Sequence, residues 1–396
     1  MSRAVFGRAA ALLGAAALAA GAAWVWAHRP WRVVASVNGA TLTASELDLR
    51  VQTFGGGGER DREWLAKVWI VKELLLGEAV HRGVRPEPGD EQEASDLITA
   101  WLAAHGSAPE RFFADGPLPE ASKRQDFKEG VLVNLLVRDE LVKRGFRELV
   151  GELFGRADVR CGEYPGLEKL HEGGAPLPLY AGMWGWEPMR VVAGADGSIL
   201  TSAELDLRAR NMLDDVRRMG RNVPKERERE ALAGFRRDAV KQWFLKQVLC
   251  DEAVRQGFAV TPPDEKEEMA KVVASLKRHK LTVEQFFKDG PLPESVKRAD
   301  FRAAILAGKL ARREVSDKIN VTGREIEAEM SELRRKGEKA DRKAVIGKLR
   351  GDRFKRGYRE LFRSLFVKAR VFCMEFPDLE KVDGVSPPVP EERGGR

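Results

Sequence analysis

Apolar positions recur at helical spacing through most of this chain. Trp64, Leu65, Val68, Trp69, Val71, Leu75, Leu76, Ala79 and Val80 fall largely on one helical period, and Gly83 follows as a C-cap. The same pattern returns from Ala231 through Phe244, Leu245, Val248, Leu249 and Val254 to Gly257. Pro86, Pro88, Pro262 and Pro263 come next, and a further helix is expected from near Asp90 and Asp264. Short β-type runs frame these helices. Val33–Val37 is one, followed by the turn pair Asn38-Gly39, with Asp196-Gly197 as its counterpart. Alternation of Ala157, Val159 and Cys161, and of Ala369, Val371 and Cys373, predicts a closing strand in each half.

The pattern repeats because the sequence repeats. Arg32–Arg50 aligns without gaps to Arg190–Arg208, with twelve of nineteen positions identical. Phe112–Phe127 (FFADGPLPEASKRQDF) aligns to Phe286–Phe301, and Lys143–Lys169 aligns to Lys355–Lys381. The offset rises from 158 to 174 to 212, so the second copy carries 16 further residues before the DGPLPE block and 38 after it. Three collinear blocks predict a duplicated, mainly α unit whose first and last segments pair as strands. Thr43-Ala44-Ser45-Glu46 and Thr201-Ser202-Ala203-Glu204 read as capping boxes that open the first helix of each copy. The expected organisation is a leader at 1–31, a first unit at 32–170, a hinge linker at 171–189, a second unit at 190–382 and a disordered Pro- and charge-rich tail at 383–396.

Composition changes the picture at the N-terminus. Ala9–Ala27 is an uninterrupted apolar run behind Arg3 and Arg8, with Trp24, Trp26 and Trp31 at its end. As a helix it would be about 28 Å long, close to a bilayer core. It reads equally as an uncleaved signal anchor and as a cleaved signal peptide with a site after Val25-Trp26-Ala27. Both readings export the chain, to the periplasm, anchored in the inner membrane by residues 9–27 if the segment is retained. The 396 residues carry a net charge of +7, with both signs dense and interspersed. That pattern reads as solvated amphipathic helices, and no nucleic-acid motif accompanies it.

Candidate chemistry is sparse. Cys161, Cys250 and Cys373 form no CxxC, and the first and last read as equivalent inward-facing core positions, with a disulfide or reactive thiol as the alternative. GxxxxGK[ST], HExxH and GxSxG are absent, so no catalytic residue, cofactor site or metal site is expected. Gly55–Gly58 reads as a flexible loop, and Glu163 and Glu375 as structural groups at the strand ends. The candidates for polypeptide contact are the adjacent pairs Phe112, Phe113 and Phe286, Phe287, since neighbours on a helix cannot both face one side. Trp184 and Trp186 in the linker HEGGAPLPLYAGMWGWEP join them, as contacts for a client or for the neighbouring unit.

Strand, NG turn, LTxxELD helix, the stretch LTVEQFFKDGPLPESVKRAD (Leu281–Asp300) and the following INVTGREIEAEM resemble the N-terminal chaperone domain of the SurA, PpiD and PrsA family. The resemblance spans both copies. It implies two tandem SurA N-terminal-like helical domains in an exported chaperone. The family carries a parvulin prolyl isomerase module of about ninety residues between the two halves of this domain. Here Met330–Lys355 leaves only a charged helical connector, and His28, His81, His105, His171 and His279 sit in no parvulin-like motif. The resemblance thus implies a non-catalytic holdase for unfolded or outer-envelope client proteins. An envelope scaffold for one fixed partner is the alternative, and a peptidyl-prolyl isomerase the third reading. Partners beyond clients are a membrane, through the N-terminal segment if uncleaved, and no nucleic acid.

Overall fold

The computed structural model describes residues 31–54, 59–141, 146–170, 187–218, 220, 223–278, 281–338 and 341–385. The fold is mainly helical with two small antiparallel sheets. Its elements are β1 (Val33–Val37), β2 (Ala40–Thr43), α1 (Ala44–Phe54), α2 (Glu59–His81), α3 (Pro88–Ala104), α4 (Pro109–Ala114), α5 (Glu120–Leu141), α6 (Phe146–Arg156) and β3 (Val159–Cys161). They are followed by β4 (Val191–Ala195), β5 (Ser198–Thr201), α7 (Ser202–Arg218), α8 (Glu228–Arg255), α9 (Pro262–Arg278), α10 (Val283–Lys288), α11 (Glu294–Glu314), α12 (Gly323–Arg335), α13 (Arg342–Lys368) and β6 (Val371–Cys373).

Each sheet places the opening strand at its centre, in the orders β2-β1-β3 and β5-β4-β6. The expected pairing of first and last segments is present, with Ala35 opposite Cys161 and Ala193 opposite Cys373. The opening strand also turns back on a second strand, β2 or β5, before the helix begins. Asn38 and Asp196 take positive φ values of 48° and 40°, as a two-residue hairpin turn of this twist demands. The same two side chains do a second job. Asn38 Oδ1 accepts from the Asp158 N–H at 3.0 Å, and Asp196 Oδ1 accepts from the Arg370 N–H at 2.9 Å. A short polar side chain that tolerates left-handed backbone thus pins the closing strand to the opening turn.

Half of the capping-box expectation holds. Thr43 and Thr201 accept the N–H groups of Glu46 and Glu204 at 3.2 and 3.3 Å. The two glutamates, however, turn along the helix to Arg50 and Arg208, four residues on. A charged partner binds a carboxylate more strongly than a backbone amide does. Gly83 and Gly257 close α2 and α8 at positive φ, with Val84 N–H to Ala79 O and Phe258 N–H to Ala253 O.

The insertions take definite forms. The 16-residue addition lengthens α7 and the start of α8 relative to α1 and α2. The 38-residue addition is a helical hairpin. α12 packs on the N-terminal half of α13 through Ile326, Met330, Val345 and Leu349. The charged connector read between Met330 and Lys355 is therefore a folded arm with its own small apolar contact.

Two compact units can be separated, and their boundary does not follow the repeat. The first holds β1–β3, α1, α2, α4, most of α5 and α6. The second holds everything from β4 on, together with α3. In the second unit α3 packs on α7, with Leu97 against Leu207, Leu292 and Val296, and Trp101 Nε1 donating to Asp206 at 3.2 Å. The second core joins Val192 and Ala193 of β4, Trp243, Phe244 and Val248 of α8, Leu310 of α11 and Phe362 and Phe366 of α13. Val385 is buried in this core, in a short turn at Val382–Val385, so the second unit runs past the expected boundary at 382.

Candidate functional site

Many of the duplicated charged residues pair with one another. In the first repeat Arg50 binds Asp126 at 2.5 Å and Glu46 at 2.9 Å, while Lys72 lies at 2.5 Å from Glu129 and 4.0 Å from Asp126. In the second, Arg208 binds Asp300 at 2.6 Å and Glu204 at 2.7 Å, and Lys246 contacts Asp300 directly. These quartets tie the first helix of each repeat to the helix after the DGPLPE block. A second set joins Arg62 to Asp48 and Glu163, and Arg236 to Asp206 and Glu375. Glu163 and Glu375 thereby hold the turn after the closing strand against α2 and α8.

The DGPLPE block is a stop and a clasp. Gly116 and Gly290 take φ of 91° and 99°, and a Cβ on Gly290 would lie 2.9 Å from Asn211 Oδ1. Lys123 donates to the carbonyls of Phe112 and Asp115, and Lys297 to that of Asp289, so a cation satisfies the C-terminal carbonyls of α4 and α10. Leu118 and Leu292 are buried. Arg124 lies over Phe113 and Arg298 over Phe287, with 4.6 and 4.5 Å to the ring centres.

The second unit holds an open groove of about 900 Å³. Its walls are α7 (Asn211, Met212, Asp215, Arg218), α8 (Gln242, Trp243) and α9 (Val272, Ser275, Leu276). Leu281, Phe286, Leu292 and Phe301 complete the apolar lining, and Arg208, Lys246 and Asp300 form part of the floor. The charges of its whole lining balance, Arg208, Arg218, Lys246 and Lys297 against Asp215, Glu268, Asp289 and Asp300. Burial opposes the charge on Asp300, yet the hydrogen bond and charge of Arg208, with Lys246, hold its carboxyl below the ordinary value. Burial, and then the neighbouring Arg208, push Lys246 down. Burial likewise lowers Lys297, with Arg218 next to it, and raises Asp215. The groove thus offers soft apolar surface among charge-balanced polar groups, an arrangement that can take an apolar side chain.

The predicted contacts separate on this surface. Phe286 is 39% exposed and lines the groove. Phe287 is 2% exposed, edge-on to Phe301 and under Arg298, and belongs to the interior rather than to a binding surface. The helix presents only one of two adjacent rings outward. Phe112 and Phe113 are both half-buried. Trp184 and Trp186 lie outside the described residues, as do Gly55–Gly58, His28, His171, His279 and the apolar run 9–27. His81 is exposed, and the His105 ring lies tilted against Trp101, with 4.1 Å between the ring centres.

All three cysteines are free thiols. Cys161 and Cys373 are buried at equivalent sheet positions, where burial pushes both thiols up, Cys373 to about 11. Such thiols are poor nucleophiles. Among the described residues no group of three or more His, Cys, Asp or Glu side chains is placed to hold a metal ion, and no helix is long and apolar enough to cross a membrane. No known protein family, curated protein or solved structure matches the chain.

Proposed function

We propose that this chain is an exported, non-catalytic holdase of SurA-like type, built from two tandem SurA N-terminal-like helical domains. It binds unfolded or extended segments of outer-envelope clients, is periplasmic, and is tethered to the inner membrane if residues 9–27 are retained. The observation that carries the reading is the groove of the second unit, with Phe286 on its wall and a lining whose basic and acidic groups balance. Binding there requires an apolar side chain and backbone of no fixed sequence, which is what promiscuous capture of unfolded chains needs. Met212, with its flexible thioether, suits varied occupants. The place where the family carries an isomerase module is filled by the α12–α13 hairpin, which supports a reading without prolyl isomerase chemistry.

The test is aggregation of an unrelated unfolded protein, followed by light scattering with the full chain at near-stoichiometric ratio. The expected outcome is suppression by the wild type and loss of suppression in Phe286→Ser, with only about 1 kcal/mol of stability lost because that ring is already partly in water. Phe287→Ala is the control, expected to lose about 3–5 kcal/mol of stability by opening a cavity. No suppression at any ratio, with capture of one dominant partner, would replace the holdase by an envelope scaffold. Acceleration of prolyl isomerisation would replace both.

A further inference from the structure

The basic character of the chain is concentrated in one helix. α13 holds ten Lys and Arg side chains against Asp352 and Glu360, an excess of eight, whereas the whole chain carries +7. Everything outside α13 is therefore close to neutral, and the interspersed charge of the sequence conceals a local cation.

Part of that cation is neutralised within the hairpin. Glu327, Glu329 and Glu325 of α12 pair with Arg342, Lys348 and Arg353. Beyond the base of the hairpin α13 changes its packing face. Phe362, Leu365 and Phe366 enter the core, and the opposite side turns to solvent. Arg356, Arg359 and Arg363 stand on that outer side at spacings of three and four, all exposed, with the exposed Glu360 between Arg356 and Arg363 as the one acidic group of the face, and Val367 continues the row with 76% exposure. The row is about 16 Å long at the helical rise. In the first repeat Arg144 and Arg147 align with Arg356 and Arg359, while Gly151 and Gly155 stand where Arg363 and Val367 do, so the far half of the row is particular to the second copy.

We propose that this outer face of α13 docks on an anionic phospholipid surface. A straight row of guanidinium groups ending in an exposed aliphatic side chain complements a layer that is anionic outside and apolar beneath. The rings nearest the three arginines, Phe354 and Tyr358, are half-buried and stack on each other, with Tyr358 against the core, so they are not free as a nucleic-acid stacking platform. The choice of lipid over another polyanion rests on the proposed export and tethering of the chain, which would keep headgroups at high local concentration. Each arginine near such a surface contributes about 1 kcal/mol, or about fivefold, so three together shift docking on the order of 100-fold.

The test uses the full chain with Val367→Cys, carrying an environment-sensitive dye at that position, reconstituted in vesicles of phosphatidylcholine alone or of equal parts phosphatidylcholine and phosphatidylglycerol. Since the N-terminal segment is present in both, only the headgroup differs. The expected result is a blue-shifted emission in the anionic vesicles alone, reversed by high salt. Combined Arg356→Gln, Arg359→Gln and Arg363→Gln is expected to lower the docked-to-free ratio on the order of 100-fold, while the three Lys replacements retain docking. Equal emission in both vesicles overturns the proposal. So does an equal shift produced by soluble polyglutamate on phosphatidylcholine vesicles, which would assign the face to an acidic polypeptide. Loss of docking leaves aggregation suppression at the groove untouched, so the two proposals fail separately.

Discussion

The quartets Glu46, Arg50, Lys72, Asp126 and Glu204, Arg208, Lys246, Asp300 occupy the same sequence positions in the two repeats and have opposite electrostatics. Arg50, Lys72 and Asp126 expose 5, 4 and 3% of their side chains, against 14, 20 and 28% for Arg208, Lys246 and Asp300. Burial opposes the charge on Lys72, but Glu73, Glu129 and Asp126 outweigh it and hold the amine above its ordinary value. Lys246 is pushed down. Burial raises Asp126 despite Arg50, whereas Asp300 is held low. Two substitutions account for the lysines. Glu73 and Glu129 correspond to Gln247 and Ala303, so Lys246 lacks those two carboxylates and shares Asp300 with Arg208, which Glu204 also binds. One constellation thus serves as a closed strut in one unit and as the floor of a groove in the other. Residue identity within a duplicated motif does not fix its role; the neighbours that changed do.

The largest test of this comparison removes the shared anion. Asp126→Ala takes from the buried Arg50 one of its two carboxylate partners, leaving only Glu46, and is expected to cost about 3 kcal/mol in the first unit. Asp300→Ala leaves cations that water can reach, and is expected to cost only about 1 kcal/mol in the second. Hydrogen exchange of the β1 and β4 amides in the full chain reads each unit separately. Equal losses would mean that the difference in burial has no energetic weight.

A sharper test rebuilds the first environment in the second. Gln247→Glu with Ala303→Glu restores the two carboxylates beside Lys246. Its amine, held low in the wild type and open to the groove, is expected to acylate faster than an ordinary lysine at mildly alkaline pH, and to slow once its charged form regains partners. Mass spectrometry of reagent-labelled peptides measures this. An unchanged labelling rate would show that burial alone, and not the lost carboxylates, sets the behaviour of Lys246.

Much of this architecture is legible in the sequence, because it rests on local rules. The hairpin turns at Asn38 and Asp196, the C-cap glycines at 83 and 257 and the closing strands at Cys161 and Cys373 each follow from a few adjacent residues. The grouping of α3 with the second unit does not, although a signal exists. Leu97, Trp101 and Ala104 form an apolar row on α3 where α9 has Lys271, Ser275 and Arg278. That extra face requires a partner that α9 does not, and Leu207 is among the residues that supply it. The α12–α13 hairpin was obscured for a related reason. Its cohesion comes from three glutamates facing three basic residues around a few apolar contacts, and in sequence such a surface reads as solvated charge. The groove is least legible, since its walls come from five helices.

A third difference between the repeats is Asp251, which stands where the first repeat has Gly77. It is half-buried on α8. Gln247 donates to its Oδ1 at 2.9 Å, while its Oδ2 is buried with no hydrogen-bond partner. Burial, opposed by the Gln247 hydrogen bond and reinforced by Asp196, raises its carboxyl to about 6. The sign follows from proton linkage. A carboxyl whose folded value lies above its unfolded 3.8 binds more protons in the native state throughout the interval, so stability falls as pH rises from 3.8 to about 6. Above that the full penalty persists. Asp251→Asn removes the charge and is therefore expected to stabilise the second unit at pH 7. The shift corresponds to about 3 kcal/mol before solvent screening, and partial exposure reduces the expected gain to about 1 kcal/mol. Below pH 3.8 the wild-type group is protonated in both states, and the gain should vanish. Denaturant unfolding of the full chain, with β4 hydrogen exchange to locate the effect, measures both arms. A gain that persists unchanged in acid would trace to packing, and a loss at pH 7 would show that the charge on Asp251 has a partner which offsets its burial.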